Sequence, residues 1–86
     1  MYKDTLYVLK LNTPDHWYVG TTSRLWDTRF EEHLNGFGSK WTGKHGVHSV
    51  HCRFRIGHEY SSNRMENEVT LFYMRHVAKN WRNVKG

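Results

Sequence analysis

Residues 18–33 read YVGTTSRLWDTRFEEH. A strand-like Tyr-Val runs into Gly20, two threonines follow, and a stretch of helical character then carries Arg29 and His33. Four residues is close to one turn of α-helix, so these two side chains leave the same face. Thr22 or Ser23 can cap that helix, which the spacing predicts over Arg24 to about Leu34. Asn35-Gly36 ends it, and Leu25, Trp26, Phe30 and Leu34 supply an apolar face. The segment therefore joins a strand to a helix through a glycine.

Upstream, TLYVLKL at 5–11 predicts a buried strand. Asn12 to Asp15 is a turn cluster around the single proline, and HWYVGT at 16–21 predicts a second strand. The short connection makes the pair an antiparallel hairpin, with Tyr7 and Tyr18 at similar heights on one face. Downstream, GFGSKWTGKHGVHS at 36–49 holds four of the seven glycines and shows no period, so it predicts a loop. Residues 49–57, SVHCRFRIG, alternate, with Val50, Cys52, Phe54 and Ile56 on one face and His51, Arg53 and Arg55 on the other. Ser61-Ser62-Asn63 opens a second helix whose inner face carries Met65, Val69, Phe72, Tyr73 and His76 or Val77. The segment from Ala78 to Gly86 is short and basic, the frayed end of that helix. The order predicts one α/β domain over residues 1–86: a small antiparallel three-stranded sheet flanked by helices.

The formal charge of +5 is unevenly spread. No carboxylate lies between His33 and His58, where Lys40, Lys44, Arg53 and Arg55 are found, and none follows Glu68. An excess of this kind suits a polyanion such as nucleic acid. Cys52 is the single cysteine, so an internal disulfide is excluded and a reducing compartment is expected. The N-terminal apolar run is broken by Lys3, Asp4 and Lys10, which fits neither a signal peptide nor a membrane span. The expected location is the cytoplasm, or a host cytoplasm if the chain is phage-encoded.

Several residues can carry chemistry. Arg29 and His33 both donate to phosphate oxygens, although Glu31 and Glu32 beside them also fit a solvated helix face. Tyr7 and Tyr18 fit either a site or ordinary strand packing. Glu66 follows Asn63 by three residues, the spacing of a capping box. It, or its rival Glu68, could instead hold a divalent metal near a basic surface. His45, His48 and His51 are evenly spaced, but a zinc site usually needs more ligands than this segment offers.

Taken together, Tyr7 in TLYVL, Tyr18-Val19-Gly20, the helix with Arg29 and His33, the GFGSKWT loop and Glu66 in MENEVTL resemble the GIY-YIG nuclease superfamily. The motifs occur in the family's order over nearly the whole chain, with Thr5 standing where the first motif has glycine. The resemblance implies an endonuclease that hydrolyses phosphodiester bonds in DNA. Arg29 would bind the scissile phosphate, and Glu66 would hold one divalent metal, magnesium or manganese. Tyr7 would activate the attacking water, with Tyr18 and His33 completing the cluster. Lys40, Trp41, Lys44, Arg53 and Arg55 would grip the flanking backbone. The chain has no room for a separate DNA-reading module, so structure-selective or weakly specific cutting is expected, or a second copy or a protein partner that supplies specificity. The competing reading is a basic nucleic-acid-binding module that keeps the fold but does not cut.

Overall fold

Strand β1, Tyr2–Leu11, lies inside the sheet, and its sequence explains why. Leu6, Tyr7, Val8 and Leu9 are all fully buried, so both faces of the strand are covered. The computed structural model describes residues 2–86. After β1 come β2 (Trp17–Thr22), α1 (Trp26–Leu34), α2 (Lys40–His45), β3 (Val47–Gly57), α3 (Ser62–His76), a single 3₁₀ turn (Trp81–Asn83) and β4 (Val84–Lys85). The architecture is α/β, with a four-stranded mixed sheet in the order β3-β1-β2-β4.

The sheet separates two apolar layers. On one face Leu6, Val8, Trp17, Val19, Ile56 and Val84 meet Tyr73 of α3. On the other, Tyr7, Leu9 and Leu11 meet Trp26 and Phe30 of α1 and Trp41 of α2. The hairpin pairs Tyr7 with Gly20 and Leu9 with Tyr18, so the two tyrosines are diagonal neighbours on the α1 face. No helix among the described residues is long and apolar enough to cross a membrane.

Five expectations from sequence need correction. The sheet has four strands, because the C-terminal segment is not a frayed helix. Val84 is fully buried and pairs with Trp17 in parallel. Asp15 anchors this segment by accepting from Lys79 N at 2.8 Å and Asn83 Nδ2 at 3.3 Å. The 36–49 loop contains a short helix, capped where Ser39 accepts from Thr42 N at 3.1 Å. In β3 the pairing register slips between Val8–Cys52 and Leu9–Val50, leaving His51 as an extra residue. That bulge puts Val50 in the α1-side layer and Cys52 against the α3-side layer, so the expected single apolar face is broken. Finally, α3 starts earlier than Asn63. Ser61 is its cap and accepts from Arg64 N at 3.3 Å, so Glu66 is no capping-box partner. Phe72 is 55% exposed rather than on the inner face.

Candidate active site

Helix α1 turns an unexpected side inward. Leu25 is 80% exposed and Leu34 52%, whereas His33 is 1% exposed. No side chain caps its first turn; Thr22 Oγ1 instead accepts from Arg24 N at 3.1 Å, just ahead of it. Trp26, Arg29, Phe30 and His33 follow one another at helical spacing. Trp26 and Phe30 pack on the core, and the two polar members meet Tyr7.

The Tyr7 hydroxyl is the hub. Arg29 Nε donates to it at 3.3 Å, and it lies 2.8 Å from His33 Nε2. A guanidinium only donates, so the phenol proton is committed to His33, whose Nε2 accepts. The imidazole is neutral, because burial first and the Arg29 charge second push its pKa down to about 4. Its own proton therefore sits on Nδ1 and is donated to Thr42 Oγ1, 3.0 Å away. Thr42, also fully buried, has two hydroxyl partners on Ser39, Oγ at 2.9 Å and the carbonyl O at 3.3 Å. A polar chain thus runs from the α1 surface through the core to α2. Two glycines give it room. A Cβ on Gly20 would lie 2.6 Å from the Tyr7 hydroxyl, and one on Gly38 would lie 2.1 Å from His33 Nδ1.

Arg29 is fixed from three sides. Besides Tyr7, Nη1 donates to Glu32 Oε1 at 3.1 Å and Nη2 to Gly38 O at 3.1 Å. Five N–H groups are available on a guanidinium, so two remain, and the side chain is 21% exposed. Glu32 also pairs with Arg24, and the two arginines, Arg24 foremost, hold its carboxyl below the usual range.

Tyr18 is half-buried, with its ring centroid 5.2 Å from that of His33 and 6.2 Å from that of Tyr7. Burial pushes the Tyr18 phenol up, and Arg29 works in the opposite direction. Burial likewise pushes Tyr7 up to about 12. Glu66 comes from α3, across the sheet, but reaches the same edge. β4 pairs only with Trp17 and Tyr18, and beyond it Thr21 Oγ1 donates to Glu66 Oε2 at 3.0 Å. The Glu66 charge raises the pKa of both Tyr7 and Tyr18. Arg29 and Glu66 thus both act on the two phenols. Glu66 has no ion-pair partner among the described residues, whereas Glu68 is exposed and paired with Arg64 at 3.2 Å.

The expected backbone-gripping residues divide into two groups. Lys40 and Lys44 are exposed on α2, while Trp41 donates its indole N–H to Trp17 O at 2.9 Å and packs on the core. Arg53 and Arg55 are exposed on the α1 face of β3, over the rings of Trp26 and Tyr2. Sequence reasoning missed Thr42, Thr21 and the carbonyl of Gly38. The Ser39-x-x-Thr42 spacing was a signal for the first; the other two have none. Among the described residues no group of three or more His, Cys, Asp or Glu gathers as a metal cage. No family model, curated protein or solved structure matches the chain.

Proposed function

We propose that the chain is a divalent-metal-dependent DNA endonuclease of the GIY-YIG type, with Tyr7, Tyr18, Arg29, His33 and Glu66 as its site. What supports this reading is that Arg29 donates to Tyr7, whose hydroxyl lies against Gly20, while Glu66 accepts from Thr21, the next residue along the unpaired edge of β2. A phosphodiester needs its equatorial oxygens neutralised, a water placed in line and its leaving alkoxide stabilised. Arg29, pre-aligned by Tyr7, Glu32 and Gly38, supplies the first with its two uncommitted donors. Tyr18 faces the water, since it is half-buried whereas Tyr7 is fully enclosed. Tyr7 and His33 then act by holding Arg29 rather than by touching substrate.

Glu66 fits a magnesium or manganese ion. It is part-exposed, and among the described residues its carboxylate has no ion-pair partner and accepts one hydrogen bond, from Thr21. Magnesium is commonly held by one or two carboxylates, waters and substrate phosphate, with no full protein cage. When bound, such an ion supplies charge for the leaving oxygen.

The test is nicking of supercoiled plasmid with magnesium or manganese, against a chelator control. Arg29→Lys and Glu66→Gln should each lower the rate roughly 100- to 1,000-fold, the range for removing one preorganised charge-stabilising group. Cutting left intact in both variants would sink the site. Salt-sensitive DNA binding with no cutting by the wild type would leave the binding-module reading.

A further inference from the structure

One helical turn before Arg29, about 5.4 Å along the axis, α1 and β3 enclose a cleft of about 530 Å³. It lies beside the candidate site, on the far side of Trp26, whose ring centroid is 4.9 Å from that of Tyr7. Its volume is that of a small-ligand pocket. Arg24, Arg53 and Arg55 line it, together with Leu25, Trp26 and Asp27. Arg24 is neutralised by Glu32, but Arg53 and Arg55 have no carboxylate partner among the described residues. The Arg53 guanidinium is held 5.2 Å from the Trp26 ring centre, and Phe30 stacks on the same indole at 5.3 Å. Leu25, 80% exposed, stands on the wall.

We propose that this cleft receives one unpaired nucleotide adjacent to the phosphate held by Arg29, so that the substrate is DNA with a single-stranded flap or end. The location of that phosphate rests on the nuclease reading above. Guanidinium planes and aromatic rings are platforms for bases that have left the stack. Arg53 layered on Trp26 is such a platform, and Leu25 offers an apolar rim. Arg55 supplies charge for a flanking phosphate. Asp27, the carboxylate on the wall, would repel a phosphate but accepts from an exocyclic amino group of a base. Bases within an intact duplex keep their faces covered and cannot enter without being extruded at a cost.

The test measures binding in chelator, so that it does not depend on cutting. A flapped oligonucleotide carrying 2-aminopurine at the first unpaired position is compared with a fully paired duplex of equal length. The flap should bind about tenfold tighter, the scale of one base stack, and its fluorescence should be quenched. Leu25→Asp and Arg53→Gln change exposed side chains. Both should keep the wild-type circular dichroism; Leu25→Asp should also keep duplex affinity within a few-fold, Arg53→Gln should weaken duplex binding as the loss of one phosphate contact does, and both should lose most of the flap preference and the quenching. Equal affinity of wild type for flap and duplex, or undiminished preference in both folded variants, overturns the proposal. A flap preference without cutting in magnesium would keep the cleft and remove the nuclease; cutting without a flap preference would do the reverse.

Discussion

Replacing Gly38 by alanine probes the buried polar chain at its tightest point. An ideal Cβ there would sit 2.1 Å from His33 Nδ1, 2.5 Å from Cε1 and 2.6 Å from Cγ, all inside the 3.0 Å that real Cβ contacts respect. Residue 38 is not among those with positive φ, so the obstacle is space and not backbone strain. The ring cannot withdraw, because it is 1% exposed and pinned by Tyr7 and Thr42. Overpacking costs about 1–3 kcal/mol, and a buried hydrogen bond lost with it costs a further ~1–3 kcal/mol. A net destabilisation of about 2–6 kcal/mol lowers Tm by roughly 8 °C or more in a domain of this size. Gly36→Ala is the control: its φ is +83° and nothing stands within 4 Å, so it should cost only the left-handed penalty, about 1–2 kcal/mol. The decisive measurement is a double-mutant cycle by urea unfolding. In a His33→Ala background the clash has no partner, and Gly38→Ala should become nearly neutral, a coupling of about 2 kcal/mol or more. An equal cost of Gly38→Ala with and without the imidazole would refute the reasoning.

Two further outcomes follow from the same geometry. Glu32 pairs with Arg24 and Arg29, and in the proposed nuclease it would compete with substrate phosphate for them. Glu32→Gln should therefore tighten DNA binding several-fold at low salt and steepen the slope of log K against log salt by about 0.9 for one regained phosphate contact; unchanged affinity would mean that the pair is inert. His33 also links stability to pH. Its folded pKa of about 4 lies below the ordinary 6.5, so the unfolded chain binds the proton more readily. The stabilisation is full above pH ~6.5 and is lost as pH falls toward 4, by at most about 3 kcal/mol. Unfolding free energies from pH 7 to 4 should show this slope, and His33→Asn should be flatter across the window.

The sequence makes the hairpin legible, because turn residues separate two strand-forming runs and Gly20 marks the end of the second. It also places Tyr7, Tyr18, Arg29 and His33 on elements that do meet. The inner face of α1 is less legible. Apolar periodicity selects Leu25 and Leu34, which are exposed, and treats Arg29 and His33 as solvated, because a helix burying hydrogen-bonded polar groups has the same pattern as one facing water. The β3 bulge is invisible for another reason: one extra residue, His51, inverts the faces without altering the alternation along the strand. Helix α2 and strand β4 depend on distant partners, the Trp41 indole on Trp17 O and Val84 on Trp17, and their short segments carry little propensity of their own. Glu66 was legible as a candidate but not its neighbour, since contact with Thr21 across the sheet edge has no local signature.

The site separates neutral groups from charged ones, and the magnitudes say which group can react. Moving the phenol proton of Tyr7, pKa about 12, onto His33, pKa about 4, spans roughly eight units. The proton between Tyr7 and His33 therefore stays on the phenol, and the Arg29–Tyr7–His33–Thr42 chain is a scaffold of neutral hydrogen bonds closed by one cation. Its effect is directional: with Tyr7 donating to His33, only the phenol's lone pair faces Arg29, and a fixed acceptor orients the guanidinium. The charged groups stay at the rim, on Arg29, on Glu66 and on the arginines of β3, where the proposed nuclease would need them. A site divided in this way needs no ionised tyrosine at rest. Tyr18 sits at the boundary, where burial pushes its phenol up and Arg29 opposes that shift.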